Sequence, residues 1–191
     1  MPNAISMLKS DHATVRRLLR ELNASRAVKR RDALVLQIAR ELKVHSQLEE
    51  EVFYPAFKAA AGNGDEVSLF YEAIEEHHLV DIELPKLKSA NSKSHEFEAR
   101  CKVLQDLVEH HIKEEEGEMF VAARQLFSED QLRDLGELMQ QRKETIEAMS
   151  ENPLIRPVKK LQSTVQKAMP SRVKAAKATA IAKAMERKEA R

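Results

Sequence analysis

His45-Ser46-Gln47-Leu48-Glu49-Glu50 and His111-Ile112-Lys113-Glu114-Glu115-Glu116 share one pattern 66 residues apart: an imidazole, then a pair of carboxylates beginning four places later. Ile38 and Leu42 precede the first histidine as Leu104 and Val108 precede the second. Upstream, Asp11-His12 with Val15 and Leu19 matches Glu76-His77 with Val80 and Leu84, at an offset of 65. Apolar residues three and seven places from a histidine lie on one face of an α-helix. The chain therefore reads as two copies of a helix pair carrying the same residue types in the same register.

The rest of the chain agrees with an all-α reading. It has only 4 glycines and 6 prolines, 4% aromatic residues, and none of the Val/Ile/Thr alternation of half-buried strands. The spacing predicts a first helix over residues 3–23, with Ile5, Leu8, Val15, Leu18, Leu19 and Leu22 on its apolar face. A second starts near Lys29 and runs through Leu34, Ile38, Leu42, Val44, Leu48, Val52 and Phe53. It should be kinked or stopped by Pro55 and the turn Gly62-Asn63-Gly64. A third covers about 65–87 and a fourth about 94–127, with Ser94 as N-cap; a fifth covers 129–149, capped by Ser128.

At 191 residues the chain has room for one domain and an appendage, and such a core needs no disulfide or structural metal to fold. The single cysteine, Cys101, excludes an internal disulfide framework and a Cys-rich zinc site. The N-terminus MPNAISMLKSDH lacks a signal-peptide core, and no apolar run has membrane-spanning length. These features lead us to expect a cytoplasmic protein with no membrane partner. Dividing the chain after Ser150 separates two different objects: residues 151–191 carry 11 Lys+Arg against 3 Asp+Glu, and residues 1–150 carry 21 against 28. We expect a helical-bundle domain over 1–150 and a basic, Ala/Lys-rich, helical extension over 151–191. That tail would suit an acidic protein surface or nucleic acid, though it has no aromatic residue to stack on bases.

A residue four places along an α-helix turns through about 400°, so His45 shares a face with Glu49, and His111 with Glu115. With His12 and His77 on the other two helices, a four-helix bundle would receive four imidazoles and two carboxylates at its centre. A lone helical histidine is usually a surface residue. Six matched ionisable groups on otherwise apolar faces are different, because buried without a cation they would be costly. The set suits two ions, each with two histidines and one oxygen from each bridging glutamate, and imidazole with carboxylate suits iron. An oxo, hydroxo or water bridge would leave a position on each ion for a small exogenous ligand.

The motifs SDHATVRRLLREL (10–22), HSQLEEEVFYPAF (45–57), EEHHLVDIELPKL (75–87) and HHIKEEEGEMF (110–120), with QLRDLGELMQQRKE (131–144), resemble the hemerythrin/HHE cation-binding family over about residues 3–150. The resemblance implies an up-down four-helix bundle of the hemerythrin-like type with a fifth helix. It implies a non-haem di-iron site on His12, His45, Glu49, His77, His111 and Glu115, with the glutamates as bridges. Oxygen-carrying members have a fifth histidine where Asp81 stands here. The departure weakens reversible oxygen carriage and favours reaction with oxygen, peroxide or nitric oxide. A catalase-like peroxide decomposition is the enzymatic form of that reading; an iron- or oxygen-responsive sensor acting through a partner, or metal storage, are the alternatives.

Other residues read as bystanders. His78 and His110 flank proposed ligands, and a shift of one residue turns the side chain by about 100°. His95 and Asp81 read as surface residues, and Glu50, Glu51, Glu114, Glu116 and Glu118 as a solvated acidic face. Tyr54 and Phe120, each nine places after a His-x-x-x-Glu histidine, should pack in the core, with Tyr54 able to hydrogen-bond near the metals. A ferritin-like site needs two Glu-x-x-His pairs, and only Glu75-x-x-His78 fits. No His-Glu-x-x-His, Gly-x-Ser-x-Gly or phosphate-binding glycine loop is present.

Overall fold

A computed structural model of the chain describes residues 3–62 and 64–151, and these form five helices. Helix α1 is Ala4–Ala24; α2 spans 28–61; α3 is Val67–Ser89; α4 spans 95–126; α5 is Glu129–Glu151. The caps follow the sequence: Asn3 Oδ1 accepts the Ser6 N–H at 2.9 Å and Ser94 Oγ accepts that of Phe97 at 3.1 Å. Gly62, with φ of 66°, ends α2 in a conformation open mainly to glycine. Short connections make α1 to α4 an up-down bundle, and α5 packs across α1 and α2. Of the tail expected over 151–191, everything after Glu151 lies outside the described residues.

The expected break at Pro55 takes another form. Helix α2 passes through Pro55, and the irregularity is a π-helical turn at Glu49–Phe53, where the Tyr54 N–H bonds the Glu49 carbonyl. Helix α4 has the same turn at Glu115–Met119, with the Phe120 N–H on the Glu115 carbonyl. Val121 stands at the counterpart of Pro55, so proline is not the common cause. What the two turns share is their start on the inward-facing glutamate. The extra residue in each turn carries Tyr54 and Phe120 round to the face that Glu49 and Glu115 occupy.

Two apolar clusters make the core. One holds Ile5, Leu8, Val52, Phe53, Phe57 and Phe120 and is closed by Leu132, Leu135 and Met139 of α5. The other holds Val15, Leu19, Leu22, Leu34, Ile38, Phe97, Leu104 and Val108. Between them lies a layer of buried polar residues: His12, His45, Glu49, His77, His111 and Glu115. Each helix of the bundle is thus apolar above and below one interruption. Among the described residues, no helix is long and apolar enough to cross a membrane.

Candidate metal centre

All six predicted residues meet in this layer. His45 Nε2 lies 3.2 Å from Glu49 Oε1 and His77 Nε2 lies 3.3 Å from Glu49 Oε2, so one carboxylate presents an oxygen to each of two imidazoles. Glu115 Oε2 faces His12 Nε2 at 3.1 Å and His111 Nε2 at 3.5 Å. Two donor groups result: His12, His45, Glu49 and Glu115, and Glu49, His77 and His111, joined through Glu49. Two donors at right angles on one ion, each about 2.1 Å from it, would be about 3.0 Å apart, close to these spacings.

The hydrogen-bond inventory supports the same use of these atoms. His12 Nε2, His45 Nε2, both oxygens of Glu49, His111 Nε2 and Glu115 Oε2 are buried without a hydrogen-bond partner. Buried polar atoms are nearly always satisfied, and six left over at one point is a set of donors shaped for cations. The residues therefore fit a pair of ions of the borderline type that imidazole and carboxylate select.

The histidines are held from behind by a closed ring of carboxylates. Glu50 of α2 faces His77 Nδ1 of α3 at 2.8 Å; Glu76 of α3 faces His111 Nδ1 of α4 at 2.8 Å; Glu116 of α4 faces His12 Nδ1 of α1 at 3.0 Å. Asp11 of α1 completes it, 3.8 Å from His45 Nδ1 of α2 and anchored by Lys143 of α5 at 2.9 Å. Glu50, Glu76 and Glu116 each steady the imidazole of the next helix and, by accepting from Nδ1, direct its Nε2 into the layer, whereas Asp11 faces His45 Nδ1 beyond hydrogen-bond distance. Glu50 and Glu116 were expected on a solvated face. Although partly exposed, they belong to the site, each reaching from just after an inward-facing glutamate to the imidazole of the next helix.

Tyr54 and Phe120 occupy matching places but differ chemically. The Tyr54 ring lies on His77 with centroids 5.6 Å apart, and its hydroxyl donates to Glu115 Oε1 at 2.9 Å. The Phe120 ring lies on His12 at 5.8 Å and offers no hydroxyl to Glu49. Glu115 thus has one oxygen held and one free, whereas Glu49 has both free. Burial, with the charges of Glu115 and Glu49, pushes the Tyr54 phenol well above its ordinary value and keeps the proton on it.

His45, His77 and His111 are shifted upward by the same neighbours. Burial opposes charge on His77, but the adjacent carboxylates of Glu49 and Glu50, the second accepting from its Nδ1, outweigh it and bring its pKa up to about 10. Burial likewise opposes the charge of Glu115, yet His111, His12 and His45 hold its carboxyl well below the usual range.

A cleft of about 660 Å³ opens between α2 and α3 and is lined by all four of these histidines. Val15, Leu42, Val80, Leu84, Val108 and Ile112 form its apolar walls, and Lys43, Asp81 and Lys88 are exposed along it. Asp81 therefore borders the approach to the layer and is not among its grouped donors. His78 and His95 are exposed and pair with Glu75 and Glu98, while His110 is exposed beside Glu76 and Glu114.

Comparison with known proteins gives three likenesses. The model of the hemerythrin HHE cation binding domain matches residues 3–123. A protein named DNA nickase from Nostoc sp. (strain PCC 7120 / SAG 25.82 / UTEX 2576) is 31% identical over 129 residues, which is 68% of this chain and 36% of that protein's length. The crystal structure of a hemerythrin HHE cation binding domain-containing protein from Mycobacterium kansasii matches with a TM-score of 0.66, covering 88% of this chain and 100% of that one. At 24% identity that last likeness concerns the fold.

Proposed function

We propose that this chain, which belongs to the hemerythrin HHE cation-binding family, holds two non-haem iron ions and uses them to bind or react with small oxidants such as oxygen, peroxide or nitric oxide. His12 and His45 would serve one ion, His77 and His111 the other, with Glu49 and Glu115 shared. The observation that carries the reading is the set of six converging buried donor atoms without hydrogen-bond partners. When bound, the iron pair supplies redox chemistry and open coordination positions for the oxidant.

The chain's own residues do the rest. The apolar walls of the α2–α3 cleft admit a small neutral molecule and disfavour charged ones. The carboxylate ring fixes the imidazole orientations and raises their basicity. Glu49 spans the two donor groups, while Tyr54 restrains Glu115 to one free oxygen and holds a proton at its hydroxyl within the layer.

Metal analysis and an absorption spectrum of freshly purified protein test the proposal. About two iron ions per chain with near-ultraviolet charge-transfer absorption are expected. One mononuclear zinc ion in protein loaded anaerobically with excess iron would overturn it. Peroxide consumption separates a catalase-like enzyme from a sensor or store.

A second reading concerns residues 152–191 and adds to the first. Their basic charge, together with the relative named DNA nickase, favours contact with nucleic acid. Such contact should weaken steeply with salt and vanish when the chain is ended at Glu151, with iron content unchanged. Salt-insensitive DNA binding, or a shortened chain that still binds DNA, would exclude it.

A further inference from the structure

Two His-x-x-x-Glu pairs are interleaved at the end of α4's regular part. His111 and Glu115 face the buried layer; His110 and Glu114, one residue earlier, lie outside it beside α3. Glu76 stands between the two pairs. Its Oε2 is 2.8 Å from His111 Nδ1, and its Oε1 is 3.3 Å from His110 Nε2, which is 3.2 Å from Glu114 Oε1. One nitrogen and two carboxylate oxygens, from two helices, lie within 4.8 Å of one another.

The other half of the repeat has nothing equivalent. Val44 and Leu48 take the places of His110 and Glu114, and both are buried in the apolar cluster closed by Leu135 and Met139 of α5. Among the described residues, helix α5 covers that half and not the other. On the other half the same two positions carry donor atoms aimed at one point. A crevice of about 10 Å³ beside the outer carboxylates is lined by Glu76, Glu114 and the buried Glu115 together with Leu69, Ala73 and Met119.

We propose that Glu76, His110 and Glu114 form an outer site for a divalent first-row cation, and that its occupancy is felt at the buried centre through Glu76. The donor set of one imidazole and two carboxylates suits zinc, manganese or ferrous iron, and the exposed face leaves room for water to complete the coordination. A cation on Glu76 Oε1 withdraws electron density from the carboxylate that accepts from His111 Nδ1. His111 Nε2 becomes a poorer donor in turn, because such backing carboxylates set ligand basicity. The site itself is independent of the di-iron reading; only its effect on the centre rests on that reading.

The test uses the full chain with its buried centre filled, iron content measured first, and Zn²⁺ as the probe in a calorimetric titration followed by absorption spectroscopy. Wild type should take up one further Zn²⁺ and show a shift of the centre's absorption. His110→Ala and Glu114→Gln should lose both responses while keeping iron content and helicity. His78→Ala, which removes an exposed histidine on the neighbouring helix, should keep both. Equal zinc uptake by wild type and His110→Ala overturns the site, and uptake without a spectral shift overturns the coupling. Failure of the di-iron reading would show separately, in the metal analysis made before zinc is added.

Discussion

Replacing Tyr54 by phenylalanine removes one oxygen from a fully buried ring and leaves its packing on His77 intact. In the metal-free protein the lost hydroxyl is the partner of Glu115 Oε1, on a carboxylate whose other oxygen has no hydrogen bond. A hydrogen bond to a charged group contributes about 1.5–3 kcal/mol, and stranding the acceptor puts the cost towards the upper end. For a domain of this size each kcal/mol moves the melting temperature by about 2–4 °C, so metal-free Tyr54→Phe should melt about 3–12 °C below wild type. In the loaded protein the released oxygen can turn to a cation, and the loss should shrink below about 1 kcal/mol. The assay is thermal unfolding followed by circular dichroism on both forms, with iron measured in each. Equal losses in the two forms would show that the hydroxyl does not act through a metal-binding carboxylate. Loss of iron from the variant would show that the phenol is itself a ligand.

Glu49→Ala should lose both ions where Tyr54→Phe and His78→Ala lose none, since Glu49 presents an oxygen to each donor group; a His78→Ala protein emptied of metal while His77→Ala stays loaded would mean that the register is wrong. Glu116→Gln and Glu50→Gln should each weaken iron retention about 10–100-fold in a chelator competition, as expected for carboxylates behind ligating imidazoles. Unchanged retention in both would make the ring mere surface pairing. Burial pushes the Cys101 thiol up to about 11, so iodoacetamide near pH 8 should label the folded chain far more slowly than the unfolded one. Equally fast labelling of the two would show that α4 opens around this residue.

The sequence could be read for the layer because burial made its pattern sharp. His12, His45, His77 and His111 each interrupt an apolar face, and the 65–66-residue repeat marks which of seven histidines share a register. What it hid were features set by position between helices. Glu50 and Glu116 looked like ordinary members of charged runs, and only the distance to an imidazole on the next helix distinguishes them from Glu51, which pairs with Arg142 on α5. The π turns were hidden for another reason. A change of backbone register leaves the residue types untouched, and the visible signal, Pro55, occurs in one copy only.

The differences between the two copies say which way the centre faces. Arg16 on α1 bonds Glu109 at 3.0 Å and Glu116 at 2.9 Å on α4, so the α1–α4 seam is tied across the layer. By the repeat, Arg16 corresponds to Asp81 and Glu109 to Lys43, the same pairing with its charges exchanged. Asp81 and Lys43 instead line the cleft between α3 and α2, both exposed. A symmetric bundle would offer two equivalent approaches to two equivalent ions. Here one seam is bolted by a guanidinium, one outer face is covered by α5, and the tyrosine that restrains a buried carboxylate, Glu115, is present once. The duplication supplies the donor set, and among the described residues these departures from it leave the cleft between α2 and α3 open over the histidines of the layer.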